Sequence, residues 1–398
     1  MRAALAGAAT GFVFGYAIVR AAQAVHDLRA PVTPVAVRRD PRRYGATRRA
    51  LVVAGVARSV AGLASTAFVL ADPLERAVQP LPRPLRAPAF ALALLALDSV
   101  RDAGAEYVEG YRLERSYGNS EQTAASWFGD QLKGTAVAAA VTAVLVGLAD
   151  ATVTRAPARW PLIAIAAAPP LLAFATVIAP AFVMPLFNRY EPVTGELETR
   201  IRALASRYGA GSASILRFDM SRQTKKANAF VTGVLGTERI ALADTLVEAF
   251  APDETLFVVA HELGHYVRRD PWLGIAIGTA SIAATLLAAN AALRATSGRG
   301  VASGGGGTSP AQGARLAFYA TLVQLALTPL TSAASRAMER RADRFARAAT
   351  ADPGSGIRAF RRLGEQNLAE LDPPRWAELL FGSHPSLASR IRALEDAP

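Results

Sequence analysis

The chain has no cysteine, only three lysines (Lys133, Lys225 and Lys226), four histidines, and charge on just 19% of its 398 residues. Without cysteine there are no disulfides, no thiolate nucleophile and no cysteine-ligated metal. So little charge beside 52% apolar residues excludes a disordered chain and is too apolar for an ordinary water-soluble domain. What charge there is leans one way: 44 Lys+Arg stand against 32 Asp+Glu, a net charge of +12. In an apolar chain that excess comes either from a nucleic-acid patch or from arginines flanking membrane spans, and its distribution separates the two. The length admits two or three soluble domains or one polytopic membrane protein with a modest soluble part.

Long uncharged stretches favour the membrane. Residues 160–188, 272–293 and 316–335 carry no charge at all, and 50–71, broken only by Arg58, and 134–149 come close to the roughly 20 apolar residues a bilayer requires. Residues 3–19 form a sixth candidate; a cleaved signal peptide fits that stretch too, and a retained span is preferred. Residues 87–97 are short and contain Pro88, yet counting them brings the total to seven with a consistent topology. The loop 24–49 holds seven arginines and belongs on the cytoplasmic side. Alternation then places 101–133, 184–271 and the tail from Arg336 inside, with the Gly-rich 294–315 outside. The expected organisation is an N-terminal membrane region, 1–183, with about five transmembrane helices and cytoplasmic loops 24–49 and 101–133. A second, more polar region follows over 184–398, interrupted by spans 272–293 and 316–335. With the basic excess on loops and no basic stripe carrying interleaved aromatics, nucleic acid is excluded as a partner.

Two of the four histidines fall in His261-Glu262-Leu263-Gly264-His265. On a helix, residues four apart share a face, so both imidazoles reach one metal and Glu262 reaches a water in its open position. A catalytic site of this kind needs a third protein ligand. Glu339, in Ser335-Arg336-Ala337-Met338-Glu339-Arg340-Arg341-Ala342-Asp343, fits that role on a later helix, and Asp343, one turn on, can accept the free N–H of a ligating histidine. On its own this arginine-rich helix would more often be a solvated, salt-bridged face.

With these residues in place the chain resembles the type I CAAX prenyl endopeptidases, integral-membrane zinc proteases of the gluzincin group. The likeness runs from Tyr111 to Arg390. It includes Tyr117 to Thr123, Asp130 to Lys133, Ala179-Pro180, Pro185 to Asn188, Asn228 to Gly233, Arg239 to Leu246, the His261 motif, the Glu339 segment and Ser383-His384-Pro385. The resemblance implies a mainly α, polytopic fold of about seven transmembrane helices and a gluzincin-like protease domain containing a small β-sheet. It implies zinc held by His261, His265 and Glu339, Glu262 as general base and later proton donor, Asp343 behind the ligands, and His384 stabilising the oxyanion. Ser383 and Pro385 would equally suit a plain helix start. Asn228, Ala229 and Phe230 read as an edge strand along which an extended peptide could lie, or as an ordinary buried strand. Arg336 either locks Glu339 in place or contacts substrate, while Arg239 and Asp244 read as structural.

The resulting expectation is a multi-pass cell-membrane zinc metalloendopeptidase, active on the cytoplasmic side, whose partners are the bilayer and a peptide or protein substrate, lipidated or membrane-associated. Two rivals stand beside it: an HtpX-like quality-control protease, and a non-catalytic transporter or sensor. A transporter should carry ionisable residues at mid-span, and only Arg58 is clearly placed so.

Overall fold

A computed structural model describes residues 39–233, 238–298, 300–303 and 307–396. The first long helix begins where Asp40 caps it, its carboxylate accepting from the backbone N–H of Arg42 at 3.0 Å and Arg43 at 3.2 Å, with Pro41 in the first turn. It continues through a π segment, Thr66–Leu70, so that α1 is Pro41–Val78. Next comes α2 (Arg83–Glu106), then α3 (Ala124–Arg155), whose start is capped by the Thr123 hydroxyl accepting from Ser126 N–H. The last helix of this first half is α4 (Trp160–Ile178), whose apolar run extends to Leu186.

The polar half opens with β1 (Tyr190–Pro192), α5 (Glu196–Arg207), β2 (Ser214–Phe218), β3 (Ala229–Thr232), β4 (Arg239–Ala243) and the short α6 (Asp244–Ala249). The sheet order is β1-β2-β4-β3; β2 and β4 are parallel and the other two pairs antiparallel. This leaves β3 on an edge, with Ala229 opposite Leu242 and Val231 opposite Ile240. The sheet is followed by α7 (Pro252–Val267), which carries the histidine motif, α8 (Asp270–Ser297), α9 (Pro310–Thr350), α10 (Pro353–Gln366), α11 (Arg375–Phe381) and α12 (Leu387–Glu395). At the start of α7, Pro252 occupies the first turn and Glu254 Oε2 accepts from Ala251 N–H at 3.0 Å.

One core joins the sheet to α7, α9, α10 and α12. Ile240, Leu242, Phe257, Val259 and Leu263 are almost wholly buried within it, each worth roughly 1.5–3 kcal/mol of transfer free energy. Gly264 lies where α7 meets α9: a Cβ there would stand 3.1 Å from Ala342 Cα and 3.1 Å from Phe345 Cδ1. The absent side chain lets the two helices touch, which brings Glu339 up to the histidines.

The expected count of seven spans needs correction. Among the described residues five helices are long and apolar enough to cross a membrane: α1, α3, the Trp160–Leu186 stretch, α8 and α9. The candidate at 3–19 lies outside the described residues. The candidate at 87–97 sits inside α2, which also carries Asp98, Arg101 and Asp102. Those charges have partners. Arg58 of α1 lies 3.0 Å from Asp102 and 3.6 Å from Glu109, so the one ionisable residue expected at mid-span belongs to a paired network.

Candidate metal centre

The α7 histidines face one point, and α9 supplies a carboxylate to it. Nε2 of His261 and Nε2 of His265 are 3.2 Å apart; Glu339 Oε2 is 3.2 Å from the first and its Oε1 3.4 Å from the second. A tetrahedral metal with bonds of about 2.0–2.1 Å sets its ligand atoms about 3.3 Å from one another. The two nitrogens and the Glu339 carboxylate, each nitrogen facing one of its oxygens, converge at about that scale. Glu339 Oε2 is buried and has no hydrogen-bond partner among the described residues, as befits an oxygen reserved for a metal. His261, His265 and Glu339 form the one such group among the described residues whose ligand atoms all fall within 4.8 Å.

Each imidazole is held from behind in the same way. His261 Nδ1 lies 2.9 Å from Asp343 Oδ1, and Arg390 grips that carboxylate at both oxygens, Nη2 to Oδ1 at 2.6 Å and Nε to Oδ2 at 2.9 Å. His265 Nδ1 lies 2.8 Å from Asp270 Oδ2, and Arg341 Nη2 donates to Asp270 Oδ1 at 2.6 Å. Such carboxylates fix the tautomer and the ring orientation of a ligating histidine. Asp343 lies within hydrogen-bond reach of His261; Asp270, Arg341 and Arg390 are not anticipated from the motif. Arg390 has no local signal, since it reaches Asp343 from 47 residues away. Asp270 does have one in principle: Asp270-Pro271 starts a helix directly after the motif, and Arg269 in left-handed backbone (φ 56°) turns the chain back beneath His265.

The electrostatics are those of a cation site. Burial alone would lower the pKa of His261, but Asp343 and Glu339 outweigh it and push the imidazole up to about 9. His265 moves the same way, Glu339 and Asp270 overcoming its burial. Carboxylates that stabilise an imidazolium proton stabilise a divalent metal in its place. Glu262, on the same turn of α7, is only partly covered, and burial raises its carboxyl above the usual range against the pull of the two imidazoles. A raised carboxyl near a metal water is suited to taking and returning a proton.

The remaining predicted residues fall as follows. His384 stands on the open side, its side chain 60% exposed and its Nε2 3.3 Å from Glu339 Oε1. Asn228 is exposed and immediately precedes β3, its carbonyl accepting from Ala243 N–H at 2.9 Å. Ala229 and Phe230 follow on that edge strand, but the Phe230 ring packs inward against Phe218, with centroids 5.6 Å apart. Arg336 is buried, and its Nη1 donates to the carbonyls of Glu378 and Gly382 at 2.7 and 2.6 Å, a contact named by neither expectation. Arg239 donates to Pro180 O, and Asp244 accepts from Ser221 and Thr245, both structural contacts. The Tyr117 to Thr123 stretch is a clamp. The carbonyl of buried Asn119 accepts from Lys225 N–H at 2.7 Å and the Ser120 hydroxyl donates to Gln223 O at 2.6 Å, tying the membrane half to the loop before β3.

Beside His384 opens a cavity of about 470 Å³ whose walls include Tyr44 and Val52 of α1 and Trp376 and Phe381 of α11. Membrane-crossing helices around a His-His-Glu cluster with a neighbouring carboxylate define an integral-membrane metalloendopeptidase. Residues 192–397 match the model of peptidase family M48, and residues 41–189 match that of the CAAX prenyl protease N-terminal region, described as five membrane helices. The chain belongs to peptidase family M48. It is 29% identical over 291 residues to the metalloprotease YhfN of Bacillus subtilis, covering 72% of this chain and 68% of that one. To CAAX prenyl protease 1 of Saccharomyces cerevisiae it is 32% identical over 177 residues, 44% of this chain and 39% of the yeast protein. The crystal structure of S. mikatae Ste24p shares its fold, with a TM-score of 0.78 at 22% identity and 96% of each chain covered.

Proposed function

We propose that the protein is a zinc-dependent endopeptidase that cleaves an extended segment of a membrane-associated protein, with His261, His265 and Glu339 holding the metal. What supports this reading is the convergence of two imidazole nitrogens 3.2 Å apart on the Glu339 carboxylate, whose two oxygens lie 3.2 and 3.4 Å from them, a donor set that suits zinc. Bound there, zinc supplies polarisation of the scissile carbonyl and a water acidic enough to attack at neutral pH. Glu262 takes the proton from that water and hands it to the leaving amine. His384 donates to the oxyanion from the far side of the cleft. The free edge of β3 binds the peptide by backbone hydrogen bonds, with Asn228 at its metal-proximal end.

A cytoplasmic active site in the cell membrane is supported by the arginine-rich stretch that ends in α1. Arg49 pairs with Glu370, and Arg48 and Lys226 share Glu114, so the basic loop and the metal-bearing half lie on one face. The relatives named CAAX prenyl protease 1 support a prenylated C-terminal tail as substrate, and the relative named HtpX supports the alternative, an unfolded membrane protein.

The test is metal content and peptide cleavage by the purified protein in detergent, wild type beside Glu262→Gln. The variant should keep zinc and lose cleavage by about 10²-fold or more. Retained cleavage removes Glu262 from the chemistry. A farnesylated CAAX peptide offered against an unfolded membrane protein decides the substrate.

A further inference from the structure

We propose that Arg336 is the positioning residue for His384, an inference resting on the oxyanion reading of that histidine. Arg336 and Glu339 are three residues apart on α9 and project from the same side. Glu339 meets the imidazole of His384 itself; Arg336 meets the segment from which His384 hangs. The guanidinium binds the carbonyl of Glu378 in α11 and that of its cap residue Gly382, at the negative end of the helix dipole. Gly382 is the cap residue of α11, and its N–H already turns back to the carbonyls of Ala377 and Glu378. A Cβ at Gly382 would stand 2.8 Å from Glu378 O, so the turn is as tight as the chain permits. Only Ser383 separates it from His384, whose Nδ1 is in hydrogen-bond contact with the Ser383 hydroxyl at 2.8 Å.

His384 is exposed and no packed core holds it, so its place opposite the metal depends on where its segment is anchored. Arg336 ties that anchor to the same helix that bears the metal carboxylate. A shift of α9 therefore carries Glu339 and His384 together, and the distance between metal and oxyanion donor is preserved. Because Arg336 acts through another group, its loss should impair the chemical step without touching metal or substrate affinity.

The experiment is a double-mutant cycle on peptide cleavage with Arg336→Ala, His384→Ala and the pair, with zinc content measured for each. Arg336→Ala should lower kcat by about 10- to 100-fold, the scale of an ångström-sized misplacement. KM should stay within about twofold and zinc content unchanged, since metal and peptide bind elsewhere. The double variant should be no slower than His384→Ala alone. Millimolar guanidinium should restore part of the activity of Arg336→Ala and none of that of His384→Ala. If the two losses multiply in the double variant, Arg336 does not act through His384 and the proposal is overturned while the reading of His384 stands. If His384→Ala cleaves at the wild-type rate, that reading is what fails. Should Arg336→Ala not fold, Arg336→Lys decides: its ammonium reaches fewer carbonyls, so an intermediate kcat with normal zinc supports the proposal and a wild-type kcat overturns it.

Discussion

Asp343 and Arg390 meet in a bidentate pair behind His261, both side chains buried, with the guanidinium carbon 4.1 Å from the Phe360 ring centroid. The pair is a rigid backstop: Arg390 fixes the carboxylate, and the carboxylate fixes the imidazole. Removing one member leaves the other as an uncompensated buried charge, a loss of about 3–5 kcal/mol. Asp343→Asn, which keeps the shape, should weaken metal affinity by about 10- to 100-fold in a chelator competition. Unchanged zinc retention would contradict the backstop role.

Asp270 should behave as the counterpart of Asp343 on the other histidine. Asp270→Asn is expected to cost metal affinity on the same scale of about 10-fold or more. Because the two carboxylates hold different imidazoles, the effects of Asp270→Asn and Asp343→Asn should add in free energy, with departures of at most about 0.5 kcal/mol for independent sites. A chelator titration of the double variant reads this directly.

Close contact of α7 and α9 at Gly264 makes another expectation. In Gly264→Ala the new methyl meets Ala342 Cα and the Phe345 ring, and the helices must separate by tenths of an ångström. Overpacking of this kind costs about 1–3 kcal/mol. The thermal midpoint should fall and zinc should leave the variant faster, because Glu339 retreats with α9. A variant with wild-type stability and zinc retention would show that the crossing has slack.

The junction between the two halves should respond to acid. Burial would raise the pKa of Glu114, but Lys226, Tyr44 and Asn119 outweigh it and hold the carboxyl below its ordinary 4.5. A carboxyl depressed in the fold stabilises fully above the unfolded value and loses that contribution as pH falls through the folded one. Wild type should therefore lose stability below about pH 4.5. Glu114→Gln should be less stable at neutral pH and flatter over the acid range, as thermal melts at a series of pH values will register.

What the sequence discloses follows from how local each relationship is. His261, Glu262 and His265 share one helical turn, so that group is legible from spacing, whereas Glu339 and Asp343 become candidates only beside it and through the family resemblance. Arg390 and Arg336 are not legible, because each acts on a segment 42 or more residues distant, and nothing near either residue announces its partner. The number of spans is misread for a related reason. Hydropathy registers the charge on Asp98, Arg101 and Asp102 but says nothing of the pairing of Arg101 with both acids or of Asp102 across to Arg58. The edge position of β3 is legible as a strand but not as an edge, since order within a sheet is a property of the whole chain.

The helix α9 is a single element of 41 residues, about 60 Å from end to end at 1.5 Å per residue. Its apolar part lies in the bilayer, and Glu339 rides on the part that emerges from it. Such a rod is a lever whose pivot is set by lipid. A change of tilt by a few degrees, the ordinary response to a thicker or thinner hydrocarbon layer, displaces its far end by an ångström or more, with Pro329 as the point where the bend can concentrate. Cleavage rates in vesicles of different acyl-chain length should therefore differ, because the same helix meets the lipid and carries Glu339.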